Sequence, residues 1–148
     1  LATPTIVVKT DKETDGTDVF EISAIVAGMP RASSTERMLL NWSIWEKTDF
    51  LLGNYLGKMG WSTMTRVGEE MDSAAQEFLR NDGGWSADDS EMCVRLLTHS
   101  TKKDGWMSEH VWGFELVDNG RRYTRRVAVQ KDGKLETARL VYDYLGQA

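Results

Sequence analysis

The sequence predicts a mainly β chain, an antiparallel β-sandwich or a small β-barrel with one short helix, and three observations carry that prediction. Several short runs alternate apolar and polar residues with period two, as in Phe20-Glu21-Ile22-Ser23-Ala24, which is the mark of a half-buried strand. Turn chemistry separates the later runs, above all Asp118-Asn119-Gly120 and Lys131-Asp132-Gly133-Lys134. Only one stretch changes to helical spacing, and no βαβ unit is visible, so a parallel nucleotide-binding sheet is not expected.

The elements follow in order. Residues 5–9 are rich in β-branched side chains and read as a strand, residues 11–18 as a polar connection, and residues 19–27 as a strand with Phe20, Ile22, Ala24 and Val26 on one face. Residues 28–35 are a loop by composition. Residues 38–46 alternate as one strand, with Met38, Leu40, Trp42 and Ile44 sharing a face and Trp45 opposite. Residues 47–60, with Gly53, Gly57 and Gly60 around Tyr55, read as a long exposed loop, a usual home for binding residues. Residues 61–67 suggest a strand. Over 68–80, Val67, Met71, Ala74, Ala75, Phe78 and Leu79 recur three and four apart, which predicts a short amphipathic helix stopped by Asn81-Asp82-Gly83-Gly84. Strands return over 92–98, with Val94 and Leu96 inward, and over 111–117, with Trp112, Phe114 and Leu116 on one face. Lys102-Lys103-Asp104-Gly105 is the turn between them, and residues 123–130 form a further strand. The end is ambiguous: residues 137–144 can close the last hairpin as a strand, while Leu135, Ala138, Val141, Tyr142 and Leu145 also fit a helix.

Composition bounds the function. A chain of 148 residues suits one globular domain, 1–148, with 41% hydrophobic and 28% charged residues. A net charge of −5 speaks against nucleic-acid binding, which rests on neutralising phosphates. No apolar run approaches the ~20 residues of a membrane span, so no membrane insertion is expected. Cys93 is the one cysteine, which fits a soluble chain in a reducing compartment or an organelle stroma. The opening Leu1-Ala2-Thr3-Pro4-Thr5 has no methionine, basic stretch or apolar run, as expected of a trimmed chain or of a mature one that has lost a targeting peptide.

Catalytic and metal signatures are weak, so no catalytic residue, metal or cofactor is assigned. His99, His110 and Cys93 do not make a zinc ligand set by spacing, and no nucleophile elbow or phosphate loop occurs. Glu109-His110 would be an acid–base couple if it lined a cavity. Glu69 and Glu70 are explained by the dipole at the start of the expected helix, and Asp88 and Asp89 as solvated loop charges. Arg121, Arg122, Arg125 and Arg126 stand out from the acidic background. On a strand they point alternately to both faces, which suggests an edge strand or hairpin tip. They are read either as charges that block strand addition or as contacts for an anion or a protein partner.

The six tryptophans remain. Trp42 and Trp112 align with aliphatic neighbours and read as core. Trp45 lies beside the expected long loop, and Trp61, Trp85 and Trp106 each follow a glycine. With Tyr55 they are the candidate ligand-binding residues; the four indoles are expected either in a core or at loop mouths, where an exposed indole face suits a sugar ring, a base or an aromatic ligand.

One pattern resembles a known family. Met38-Leu39-Leu40-Asn41-Trp42-Ser43-Ile44, Gly60-Trp61, Val94-Arg95-Leu96-Leu97, Gly105-Trp106 and Gly113-Phe114-Glu115-Leu116 are similar to the layout of the starch-binding carbohydrate-binding modules of glucan, water dikinases. The resemblance covers about residues 38–117. It departs at Asn41, where the family has a histidine, at Ser108-Glu109-His110, where the family has an asparagine-rich turn, and in the helical stretch. It implies a β-sandwich that binds α-glucan without catalysis, with Trp42, Trp61 and Trp106 as the aromatics.

The expected function is therefore a non-catalytic binding module with an aromatic platform, α-glucan polysaccharide or oligosaccharide being the leading ligand. The alternatives are an accessory subunit that meets other protein subunits through tryptophan loops and the arginine hairpin, and a small-ligand-binding barrel or barrel enzyme.

Overall fold

A computed structural model describes residues 3–26, 28, 34–80, 84–85 and 92–147. The described residues form nine strands, a 3-10 turn and one helix: β1 (Thr5–Lys12), β2 (Asp18–Ile25), β3 (Ser34–Leu39), β4 (Trp45–Asp49), β5 (Gly53–Thr63), the 3-10 turn (Met64–Arg66), α1 (Ser73–Arg80), β6 (Met92–Ser100), β7 (Met107–Val117), β8 (Gly120–Lys131) and β9 (Lys134–Tyr142). They make two antiparallel sheets, β1-β2-β3 and a six-stranded meander β4-β5-β6-β7-β8-β9, and neither closes into a barrel. The mainly β sandwich with one short helix is thus observed.

The larger sheet is covered on both faces. On its inner face, Phe20 and Met38 of the smaller sheet, with Leu40 just past its end, pack on Met59, Val94, Leu96 and Trp112. On its helix face, Val67, Met71, Ala75 and Leu79 pack on Cys93, Val111 and Ala128. A strand between two layers has no solvent side, so Cys93 to Thr98 of β6 are all buried rather than alternating. A helix of eight residues is too short to persist alone, and this second cluster is what holds α1.

The hairpin signals are met. Asp118 and Asn119 joining β7 to β8, and Asp132 and Gly133 joining β8 to β9, all have positive φ, as type I′ turns require. The ambiguous tail is a strand, β9. The loop expected over 28–35 and the helix stop expected over 81–84 lie mostly outside the described residues, as does the Asp88-Asp89 pair.

Four expectations are corrected. The single strand expected over 38–46 is two, because the chain leaves the smaller sheet after Leu39 and enters the larger one at Trp45, turning through Trp42 at φ 61°. Leu40 is therefore buried while Ile44 is exposed. The long loop expected over 47–60 is the β4–β5 hairpin. Its glycines are strand residues that make room for rings: a Cβ at Gly57 would overlap the ring of Trp45, and one at Gly60 the ring of Trp42. Gly60→Ala should therefore cost about 1–3 kcal/mol by overpacking, and an unchanged thermal midpoint would show that the ring does not lie there. The helix starts at Ser73, so Glu69 and Glu70 precede it and pair instead with Arg66 and Arg95, and with Lys58. Finally, the arginine strand is no edge: β8 lies between β7 and β9, with Arg121 and Arg122 beside the tip of the β7–β8 hairpin and Arg125 and Arg126 within the sheet.

Candidate functional site

Of the five candidate ligand-binding rings, three come together. The Trp45 and Tyr55 rings meet edge to face with centroids 5.9 Å apart, and Tyr55 meets Trp106 at 5.6 Å. Pairing puts them there: Trp45 opposes Gly57 across the hairpin, two residues along from Tyr55, and Tyr55 opposes Ser100, whose N–H donates to the Trp106 carbonyl. The Lys47 ammonium stands 4.9 Å from the Trp45 ring centre. Burial first, then the charges of Glu36 and Asp49, raises the pKa of Tyr55, so its hydroxyl keeps its proton and can donate.

Beyond this strip the hairpin ends in Phe50-Leu51-Leu52. Phe50 is 99% exposed and Leu51 86% exposed, the reverse of where such side chains usually rest. The tip is nonetheless ordered from within: one Asp49 carboxylate oxygen accepts the N–H of Leu51 at 2.7 Å and of Leu52 at 2.9 Å. Sequence reading placed these three residues in the long loop expected over 47–60 and did not single them out.

The other tryptophans are placed elsewhere. Trp61 donates its indole N–H to Asp18 at 2.9 Å, which with the Lys12 ammonium holds that carboxyl below its usual range. Trp85 closes the helix face: its ring lies on Gly113, its indole donates to the Leu79 carbonyl at 2.8 Å, and its backbone bridges to Glu115. Trp42 stacks its ring on Gly60 with the Arg95 guanidinium 5.7 Å away. Trp112 is core, 5.4 Å from Phe20. Among the described residues no ring contact joins Trp42, Trp61 and Trp106.

The arginines divide by face. Arg126 is buried on the helix face and holds the fully buried Glu115 through Nε at 3.1 Å and Nη2 at 2.5 Å. Its Nη1 donates to the Phe78 carbonyl at 2.8 Å, which ties the end of α1 to the sheet. Thr124 also donates to Glu115, and Arg139 reaches it at 3.2 Å. Burial alone would raise the Glu115 pKa, but the Arg126 and Thr124 hydrogen bonds and the two guanidinium charges outweigh it and hold it below the usual range. A second pair, Arg95 with Glu109 at 2.7 Å, fixes the other end of this segment, since Glu109 also accepts the Gly68 N–H at 2.9 Å. Arg122 pairs with Asp143 near the surface, and Arg121 lies 3.7 Å above the Phe114 ring.

Arg125 points the other way, to the inner face. Its guanidinium carbon sits 4.7 Å from the Trp112 ring centre, and Nη2 lies 2.6 Å from Nδ1 of His110, whose ring stacks on Trp112. Glu109 and His110, adjacent in sequence, therefore face opposite layers and cannot act as a couple. Burial, then the Arg125 charge, lowers the His110 pKa to about 3, so the imidazole is neutral and accepts from Arg125. Cys93 is buried, and burial raises its thiol to about 11, which leaves it unreactive. His99 is exposed on the helix face, beside a small cavity of about 100 Å³ also lined by Ile44, Leu56, Leu97 and Met107.

Among the described residues no helix is long and apolar enough to cross a membrane. The chain matches no known family model, no curated protein and no solved structure.

Proposed function

We propose that the chain is a non-catalytic binding module that docks onto a protein partner through the β4–β5 hairpin, with Phe50 and Leu51 entering an apolar pocket and Trp45, Tyr55 and Trp106 forming the rim. The exposed, internally ordered tip carries this reading. Exposed apolar groups in a contiguous patch mark interaction sites, and a tip already held by Asp49 loses little freedom on docking. Aromatic rings at its base match the composition of interface hot spots. The net charge of −5 disfavours nucleic acid and anionic lipid surfaces as the partner. A reducing compartment or organelle stroma suits a chain with one buried thiol.

A second reading is favoured by one specific observation, the continuous Trp45–Tyr55–Trp106 strip with Lys47 beside it: an oligosaccharide, α-glucan by the resemblance, lying along the rings.

A photo-crosslinking phenylalanine analogue at position 50, and separately at the distant position 136, tests the first reading in an extract of the source cells. Position 50 should yield a discrete adduct that excess wild-type protein competes away, and position 136 should not. Phe50→Asp should compete poorly, since loss of a hot spot costs about 2 kcal/mol or more, roughly thirtyfold in affinity. Equal adducts from both positions, or none, would sink it. Titration with maltooligosaccharides and cello-oligosaccharides, followed by tryptophan fluorescence, addresses the second: a saturable response to one series alone, lost in Trp45→Ala, supports it.

A further inference from the structure

We propose that Arg125, with Trp112 beneath it and His110 beside it, is the anion-holding centre of a site on the inner face of the larger sheet for a small carboxylic acid with an apolar body.

The charge balance of the sheet points there. Arg95, Arg122, Arg126 and Arg139 each have a carboxylate within salt-bridge distance. Arg125 has none among the described residues. Its one hydrogen-bond partner is a neutral imidazole, and its Nε is buried with no partner at all. A half-buried guanidinium without a counter-charge is costly, and a carboxylate reaching its outer Nη nitrogens would supply the missing charge. With Nδ1 accepting from Arg125, the His110 proton is on Nε2.

The surroundings set the rest of the ligand. Strand pairing places Trp112 on one side of Arg125 and Leu140 on the other, with Tyr123 two residues along β8. Tyr123 joins Phe114 at 5.2 Å and Tyr142 at 6.0 Å in a second aromatic group. Phe20 covers Trp112 from the smaller sheet, while Phe114 on β7 is 37% exposed and Leu140 on β9 39% exposed. The neighbourhood is thus charged at Arg125 and aromatic beside it, at Tyr123, Phe114 and Tyr142. An acid with an aryl or short alkyl body fits that polarity, and its neutral analogue does not. This site lies apart from the hairpin tip, and neither depends on the other.

The test uses the ¹⁵N-labelled full chain with 4-phenylbutyrate and its uncharged amide, 4-phenylbutanamide, followed by NMR at the Arg125 Nε–H and Trp112 indole N–H. The acid should shift both resonances saturably, and the amide should bind roughly tenfold or more weakly. Arg125→Gln should abolish the discrimination between acid and amide, Arg125→Lys should keep part of it, and Arg122→Gln, whose guanidinium is paired with Asp143, should leave it intact. Equal shifts with acid and amide, no shift with either, or discrimination that survives Arg125→Gln would overturn the proposal. Should Arg125→Gln fail to fold, the comparison of acid with amide in the wild-type chain decides.

Discussion

Glu115→Ala should destabilise the protein by about 3–5 kcal/mol, a large part of the roughly 5–15 kcal/mol that holds a typical domain folded. Glu115 has no solvent exposure, and Arg126, Thr124 and Arg139 all point at it. Deleting the carboxylate leaves the buried Arg126 guanidinium without its counter-charge while its Nη1 is still committed to the end of α1. The loss should be dominated by that stranded charge rather than by the missing attraction. Replacing both partners with apolar residues, Glu115→Leu with Arg126→Met, should therefore recover much of the stability that the single variant loses. Urea midpoints of the three proteins check this. A single variant within about 1 kcal/mol of wild type would mean that water already reaches the pair.

Acid should unfold the protein earlier than carboxylates alone would dictate, and His110 is the cause. In the folded chain its pKa is about 3 against an ordinary 6.5, so between those values the unfolded chain holds a proton that the folded chain does not. Stability is then fully present above the ordinary imidazole range and is lost as pH falls toward 3, by up to about 1.4 kcal/mol per pH unit. Glu115 adds a loss of the same sign further down, because its depressed pKa stabilises the fold only while the carboxylate stays ionised. His110→Gln keeps an acceptor for Arg125 without the titration, and should flatten the decline between pH 6.5 and about 3. A wild-type urea midpoint that does not change over that window would contradict the burial of a neutral imidazole.

The fold was legible in the sequence wherever a local rule sufficed. The Asn119 and Gly133 turns announced their hairpins, and the spacing from Val67 to Leu79 announced the helix. It was least legible where neighbouring layers decide. Alternation through Leu40, Trp42 and Ile44 continued across a change of sheet that no period can report. Gly57 and Gly60 looked like loop residues, because the rings that need their bare backbone come from elsewhere in the chain. The arginine strand read as an edge, since two charged faces are cheap only in solvent or when each guanidinium meets a buried partner, and Glu115 could not be matched to Arg126 in advance. For the candidate site, the aromatic residue types pointed to Trp45, Tyr55 and Trp106 but equally to Trp61 and Trp85, whose surroundings differ. The Phe50-Leu51-Leu52 tip carried no distinguishing signal at all.

Every strand of the larger sheet pairs with its neighbour in the chain, so the sheet can assemble as a succession of hairpins, each closing a short loop at small entropic expense. One junction breaks that run. β5 ends at Thr63 and β6 begins at Met92, and the segment between them holds α1. Joining the first hairpin to the rest must close this longer loop, and α1, too short to persist alone, gains its structure only once β6, β7 and β8 are laid out to receive it. The Arg126 bond to Phe78 and the Glu109 bond to Gly68 can then form only last. These two ties between the α1 segment and the sheet thus belong to the final latch of folding, and they should govern how fast the molecule comes apart more than how fast it goes together.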